Sequence, residues 1–417
     1  MEKIAFVVVR YGENINGGAE FHCKMLAERL VGHYDVEVLT TCVENYVTGE
    51  NVYDKGVEHI NGVLVRRFEA APMDKERSSF YYWHSRRSVQ VRKLLYKTRL
   101  LAPLALFFPV WTFKEKNEIG EYNSCPFYSP SLFSFIEEHK DDYKAFIPIT
   151  IDFPMVYYTA MYAPEKTIVI PTMHYHRAAF RSVLTKVFTK VAYVAFNTRS
   201  EEKLAECIFG PRMSPHGIVG VGVDLASPAD WPATSSKYNL PEEYLLYVGR
   251  VDLDKLQNIY DYFVTYKRLY PDSKLKLVIV GGIFCKSLEH QDIIYTGFVD
   301  EHEKTAIIAH AKIVVNPSKF ESLSLILLES MTLKKPVLVN GCCNVLKEHC
   351  KRSDNAVLPY YKEQDFIKKL RLLDTSAEVR LEMGGKGAEY VKKNYRWDVI
   401  MKKLMDCIDY VGSRKRM

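Results

Sequence analysis

The stretch "KFESLSLILLESM", Lys319 to Met331, sets Glu321 and Glu329 eight positions apart around an otherwise apolar run. A carboxylate in such a run is costly unless a partner pairs with it or hydrogen-bonds to it. The spacing therefore points to a ligand, the alternative being a solvated helix face. With a helix beginning near Leu323, the unpaired backbone N–H groups of Ser324, Leu325 and their neighbours form an anion site suited to phosphate. Glu321 then lies in the loop ahead of that helix. Glu329 falls about two turns further on, where its carboxylate accepts hydrogen bonds from a ribose diol. Upstream, "YVGRVDLDK" ends a strand-like run with Gly249, Arg250 and Lys255. Two cations at a strand end suit a diphosphate, arginine through its bidentate fork and lysine as a point charge; the alternative is an exposed basic loop. Asp252 and Asp254 in the same stretch are of metal-holding type, but a metal beside two cations is redundant, and they read as surface. "RYGENINGGAE" places Gly17 and Gly18 at the turn from the first strand-like run into a helix. Paired glycines admit close approach of a ligand and the helix start beyond them attracts anions, though a tight strand–helix turn accounts for them equally well.

The elements that must hold these residues alternate in type. In the first half, "IAFVVVR", "VEVLTT", "KAFIPIT", "KTIVIP" and "YVAFN" read as short buried strands, separated by helical stretches such as "AEFHCKMLAERLVGH" and "SEEKLAECIFG". In the first of these helices, Ala19, Cys23, Leu26, Ala27 and Leu30 share one face. The run "GVGVDLASPADWPATSSKYNLPEE" is rich in turn-forming residues and reads as an interdomain linker. Beyond it "YLLYVGR", "LKLVIVGG", "DIIYTGF", "KIVVNPS", "PVLVNG" and "NAVLPY" resume the alternation. Two doubly wound α/β domains in series follow from this pattern, with expected boundaries at 1–222 and 223–390. A C-terminal helix over 391–417 is expected to pack back towards the first domain. The length of 417 residues is ample for two cores.

Charge and cysteine usage narrow the setting. The net charge of +6 is unevenly spread, with basic clusters from Arg86 to Arg99 and at Arg414, Lys415 and Arg416. That distribution suits phosphates or an anionic membrane surface rather than sequence-specific nucleic-acid binding. Cys342, Cys343, His349 and Cys350 lie close together, but no second ligand pair at Cys-x-x-Cys spacing accompanies them. Reduced thiols, no basic leader before "MEKIAFVVVR" and no apolar stretch of transmembrane length together lead to a cytoplasmic expectation.

Taken together, the motifs resemble the retaining glycosyltransferases of family four. The Glu-x7-Glu signature matches at Glu321 and Glu329, the "GR…K" loop at Gly249, Arg250 and Lys255, "TGFV" at Thr296 to Val299, and "GGAE" at Gly17 to Glu20. "GVGVD", ending at Asp224, resembles the start of the family's interdomain crossover. The resemblance covers nearly the whole chain and implies the GT-B fold, two Rossmann-like domains facing a central cleft. It also implies an N-terminal domain that binds the acceptor, a C-terminal domain that binds a nucleotide-sugar donor, and transfer with retained anomeric configuration. On this resemblance Glu321 contacts the donor sugar near its reacting face and Glu329 binds the ribose. Arg250 and Lys255 neutralise the leaving diphosphate, so that neither metal nor cofactor is required. Phe298 and Val299 meet the base. "PTMHYH" resembles the strand end bearing a histidine near the anomeric centre, with His174 the better match and His176 a competitor. Many members have glycine where this chain has Ser324, which implies a tighter or differently shaped approach to the phosphate.

The acceptor side is read from "SRRSVQVRKLLYKTRLLAPLALFFPVWTFKEK". Its apolar core, Leu100 to Trp111, is flanked by Arg86, Arg87, Arg92, Lys93, Lys97 and Arg99 before it and Lys114 and Lys116 after. Such a segment suits an anionic membrane surface over 86–116, bringing a lipid-linked saccharide to the site; the alternative is a helix and loop buried under the first domain. Two other functions are compatible with the same motifs. A sugar-nucleotide epimerase of this architecture would convert a donor with no acceptor present. A silent nucleotide-sugar-binding subunit would show no turnover. An NAD-dependent enzyme is disfavoured, because no Gly-x-Gly-x-x-Gly stretch follows any strand.

Overall fold

The computed structural model describes residues 1–13, 15, 17–46, 48–284 and 287–413, and for Leu253 and Asp254 the backbone. Arg414, Lys415 and Arg416 and the side chain of Asp254 lie outside the described residues. The chain divides into two units, Met1–Val221 with Asp398–Met417, and Gly222–Trp397.

In the first unit, β1 (Lys3–Val7), β2 (Asp35–Thr41), β3 (Gly56–Ile60), β4 (Val63–Phe68) and β5 (Ala145–Pro148) form a sheet of order β3-β4-β2-β1-β5. All of its pairings are parallel except that of β3 with β4. Isolated bridges Phe146–Thr167 and Ile149–Ile170 continue it to β6 (Ile168–Val169), which pairs with β7 (Tyr193–Phe196) and then β8 (His216–Ile218). Strands β1 and β2 are buried along almost their whole length, as a sheet covered on both faces requires. The helix Trp397–Ser413 belongs mostly to this unit: Lys144 Nζ binds Asp409 Oδ1 at 2.7 Å, and Tyr193 packs on Tyr410 with ring centroids 5.9 Å apart.

The second unit holds one six-stranded parallel sheet: β9 (Tyr244–Val248), β10 (Lys276–Val280), β11 (Ile293–Gly297), β12 (Ile313–Asn316), β13 (Val337–Asn340) and β14 (Val357–Tyr360), in the order β11-β10-β9-β12-β13-β14. Renumbered within the unit this is 3-2-1-4-5-6, the Rossmann order, in which the order of strand addition reverses between the first and fourth strands. The expected linker is part of this unit. It carries a helix, Trp231–Lys237, capped by Asp230. Trp231 stacks on His310 at 3.8 Å, and Ala229 N donates to His302 O at 3.0 Å, so the run packs on the helix Glu301–His310. Among the described residues no helix is long and apolar enough to cross a membrane.

One part-buried ionic knot ties three elements of the first unit. Glu121, on the helix Glu115–Asn123, receives Arg177 Nη1 at 2.5 Å, Arg177 Nη2 at 2.9 Å, Arg181 Nη2 at 3.0 Å and Ser85 Oγ at 2.9 Å. Burial alone would push this carboxyl up, but Arg181 and Arg177 hold it down, at about 2. A carboxyl with a depressed folded-state pKa contributes stability above its unfolded value and loses it as pH falls. Glu121 is therefore expected to contribute on the order of 3 kcal/mol at neutral pH, lost between about pH 4.5 and pH 2. Acid unfolding followed by circular dichroism checks this: Glu121→Gln should be less stable at pH 7 and depend less on pH in that window.

Candidate active site

The point where the second sheet reverses lies between β9 and β12, and the loops after these two strands meet. Lys255, seven residues beyond Val248 at the end of β9, donates through Nζ to Glu321 Oε1 at 2.9 Å, to Phe320 O at 3.2 Å and to Ser318 Oγ at 3.5 Å. Its own backbone is pinned, since Lys255 N donates to Asp252 Oδ1 at 2.8 Å. Asp252 is thus a half-buried loop residue rather than plain surface; its other oxygen lies 3.4 Å from Arg250 Nε. Arg250 is exposed, whereas Lys255 and Glu321 are partly covered. The two expected cations therefore differ, one set against the glutamate and one in solvent.

Gly249 sits at φ +151, and a Cβ there would lie 3.0 Å from the Tyr247 hydroxyl, which itself donates to Arg250 O at 2.6 Å. Gly281, at φ +136 after β10, would place a Cβ 2.1 Å from Gly249 O. Only glycines permit this contact between the two strand ends.

The helix expected near Leu323 begins at Leu325 and ends at Thr332. Ser324 precedes it in the left-handed region, at φ 74 and ψ 79, and stops the helix from starting earlier. The N–H groups of Leu325, Ile326 and Leu327 have no partner within the helix, as in any first turn. Ser324 holds its strained backbone through a buried side-chain bond, Asn316 Nδ2 donating to its Oγ at 2.9 Å. Asn316 Oδ1 in turn accepts from Ser318 N at 3.0 Å. His349 braces the same turn: it is fully buried, with Nε2 2.9 Å from Leu323 O and Nδ1 3.1 Å from the Tyr390 hydroxyl. A carbonyl partner makes Nε2 the donor, and burial pushes the ring down to about 4, so it stays neutral. Both nitrogens are engaged, which removes His349 from any metal cluster with Cys342, Cys343 and Cys350. Because the left-handed region costs a side chain about 1–2 kcal/mol, Ser324→Gly should be more stable than Ser324→Ala by that amount in urea unfolding. Both variants lose the Asn316 bond.

Glu329 is buried on this helix and binds Lys304 Nζ at 3.1 Å; Lys304 also pairs with Glu301 at 2.7 Å. Burial pushes the Glu329 carboxyl up, opposed by Lys304. Lys304, which burial alone would push down, is raised by its two acids. The acid inside "LILLESM" thus has a protein partner.

At the ends of β10 and β11, Phe298 and Phe284 are both exposed and their rings lie over Gly282, where a Cβ would sit 2.6 Å from one and 3.1 Å from the other. This aromatic platform stands beside Val299, which is half-buried. Phe284 went unrecognised in the sequence.

The first unit carries the remaining expected residues. Gly17 is extended, at φ −179, and its need is for space: a Cβ would lie 2.2 Å from a Glu20 oxygen. Glu20 is buried against Arg10, whose Nη2 donates to it at 2.9 Å, and it accepts from the Tyr46 hydroxyl. Gly18, the first helical residue, would have open space around a Cβ. The pair thus serves the turn and the Arg10–Glu20 contact, with only Gly18 facing open space.

His174 is half-buried beyond β6, with its ring 5.4 Å from that of His176. His176 is the more exposed and lies 3.9 Å from Asp152 Oδ1; burial lowers its pKa. The backbone beside His174 is set by Glu201, which is buried. Its two oxygens accept from Met173 N at 2.5 Å and Asn197 N at 2.6 Å, and burial raises its pKa to about 8.

The segment 86–116 is both packed and exposed. Val89, Arg92, Leu101 and Ala105 are buried in the first unit, while Leu94, Leu100, Leu106, Phe107 and Phe108 are exposed. Arg92 leaves the expected basic flank. It is fully buried, donates through Nε to Phe180 O at 3.1 Å and lies 5.3 Å from the Trp111 ring.

Residues 242–396 match the family model of the group 1 glycosyl transferases. The group 1 match spans Gly249, Arg250, Lys255, Phe298, Glu321, Ser324 and Glu329; Gly17, Gly18 and His174 lie outside it. A Klebsiella pneumoniae relative, "Uncharacterized 41.2 kDa protein in cps region", is 24% identical over 223 residues, 52% of each chain. The chain thus spans about half the length of the curated relative it matches. Among solved structures, the Anabaena protein HepE in complex with UDP and glucose superposes with a TM-score of 0.67 at 11% identity, over 98% of this chain and all of that one (100%). WaaG, a glycosyltransferase involved in lipopolysaccharide biosynthesis, superposes at 0.63 and 11% identity, over 99% and 100%. At such identities the likeness establishes the fold, which is GT-B: two Rossmann-like α/β domains, the second carrying the group 1 glycosyl transferase segment.

Proposed function

We propose that the protein is a retaining, metal-independent glycosyltransferase. It moves a hexose or deoxyhexose from a nucleotide-sugar donor to a lipid-linked saccharide in cell-surface polysaccharide assembly. The observation that carries this reading is the Lys255–Glu321 contact at the reversal point of the second sheet, ahead of a helix start, within the group 1 segment. The diphosphate of the donor takes the N–H groups at Leu325 and the ammonium of Lys255, which oppose the charge that grows on the leaving group. Glu321, held by Lys255, faces the sugar. Glu329 takes the ribose, and the base lies on the platform of Phe298 and Phe284. Arg250, exposed beside Asp252, folds onto the outer phosphate oxygens. His174 keeps the catalytic role that the resemblance implies for it, near the anomeric centre. The capsule-region relative and the lipopolysaccharide enzyme of the same fold support polysaccharide assembly as the setting.

The test is the thermal midpoint with UDP, GDP, dTDP and ADP, for wild type and Lys255→Ala. At about a hundred times its dissociation constant a bound nucleotide stabilises the fold by roughly 2.7 kcal/mol. One nucleotide is expected to raise the midpoint, with the rise lost in Lys255→Ala. No shift with any of the four would remove the donor site as drawn. Conversion of the matching sugar nucleotide without acceptor would mark an epimerase instead.

A further inference from the structure

The segment from Phe80 to Phe113 combines charge and exposure in a way the transfer reaction does not use. From Arg77 to Lys114 the chain has no acidic residue. On the helix Lys75–Lys97, Phe80 is 52%, Trp83 59% and Leu94 62% exposed; these positions, with Arg87 and Val91, share one helical stripe. The following short helix, Leu101–Phe107, ends with Phe107 74% exposed and Phe108 65% exposed. The opposite sides are anchored: Ser88 bonds Ser182 at 2.6 Å, and Leu101 is fully buried. The outward apolar side chains are therefore held outward by packing.

We propose that this face docks the protein on an anionic lipid bilayer, with Phe107 and Phe108 entering the acyl boundary and Arg86, Arg87, Lys97, Arg99 and Lys114 meeting lipid phosphates. All five cations are exposed. A protein partner is the weaker occupant, because a run with no acid from Arg77 to Lys114 is complementary to an anionic lipid surface along its whole length, whereas the cores of protein interfaces are depleted in charge. A bilayer surface favours just this mixture of Lys and Arg beside Phe, Leu and Trp. The exposed rings of Tyr82 and Trp83 are amphipathic and suit headgroup depth. A shallow, open groove of about 510 Å³ adjoins this face through Ala102, Pro103 and Leu106 and is lined on its other side by Glu206 and His216. The inference goes beyond the transfer reaction and does not depend on its donor.

The experiment is co-sedimentation of the full chain with phosphatidylcholine vesicles, with and without about 30 mol% phosphatidylglycerol. Wild type should pellet with the anionic vesicles at low salt and be released at high salt. The double variant Phe107→Ser/Phe108→Ser should lower the partition coefficient at least tenfold or so. Lys97→Glu/Arg99→Glu should abolish the anionic preference. An unchanged thermal midpoint shows that each variant is folded, and a blue shift of Trp83 emission, lost in Trp83→Phe, reports contact. Failure of wild type to pellet at any salt, or equal retention of both variants, overturns the proposal. So does a concentration-dependent dimer that the phenylalanine variant dissolves in the absence of vesicle binding, since the face would then belong to a second copy of the chain.

Discussion

Lys255→Ala is expected to lower kcat/KM for sugar transfer by about 10²–10³-fold, the usual cost of removing one preorganised charge from a leaving group. The ammonium stands against Glu321, Phe320 O and Ser318 Oγ, on a backbone fixed by Asp252. Its position is therefore set before any donor arrives, and no reorganisation accompanies the reaction. Removing it also leaves the Glu321 carboxylate, only 16% exposed, facing an incoming diphosphate without its paired cation. The loss should fall on both KM and kcat, because charge is present on the donor and grows in the transition state. Lys255→Arg should recover part of kcat/KM but not all of it, since a planar fork cannot reproduce a point charge among three acceptors. Folding should change little. Steady-state kinetics with the sugar nucleotide of whichever base stabilises the protein separates these terms, and the sequence-equivalent change at exposed Arg250 should cost less.

How far the sequence carried these conclusions depends on whether a residue's partner was local. All six strands of the second unit were legible as bounded runs rich in apolar residues, the inner four buried along almost their whole length and the edge strands β11 and β14 half-buried. In the first unit β3 and β4 passed unread. Asn61 and Gly62 between them both have positive φ, 51 and 81, the geometry of a two-residue hairpin turn, and "NG" was the available signal. β3 is an exposed antiparallel edge without an apolar run. Strand β8 is only three residues long and half-buried, too short to show a period. The site divides in the same way. Glu321, Lys255 and the helix start were visible as unusual residues at strand ends. Lys304 was not, for it lies 25 positions from Glu329 on a helix of ordinary composition, and nothing local announces their contact. His349 stands among cysteines in the sequence, where the missing second ligand pair spoke against a metal but left its partners unnamed. Its actual partners, Leu323 O and Tyr390, come from distant parts of the chain. Glu201 likewise reads as one of a charged pair opening a helix, until the strand ends on either side bring Met173 N and Asn197 N to it.

Lys304→Met should destabilise the second unit by about 3–5 kcal/mol, because it strands a buried carboxylate without its cation. Glu329 is 6% exposed, and Lys304 is the cation the fold supplies to it. The double variant Lys304→Met/Glu329→Leu should recover most of that loss, since two apolar side chains replace a pair whose desolvation was only just compensated. pH separates this from simple mispacking. The Glu329 carboxyl is already pushed up by burial, with Lys304 opposing, so removing Lys304 pushes it further. A carboxyl raised in the folded state binds its proton more tightly there than in the unfolded chain, so stability is full below the unfolded value and falls as pH rises through the folded one. Lys304→Met should therefore approach wild type near pH 4 and fall behind it steeply towards pH 8, whereas the double variant should lie nearly parallel to a reference lacking both charges. Urea unfolding at a series of pH values reads both slopes. The same experiment bears on the ribose. If Glu329 accepts a donor's diol, a bound nucleotide supplies hydrogen bonds to the charged form, lowers its pKa and releases a proton. Nucleotide should then stabilise Lys304→Met more at pH 8 than at pH 5, and it should leave the double variant without that difference.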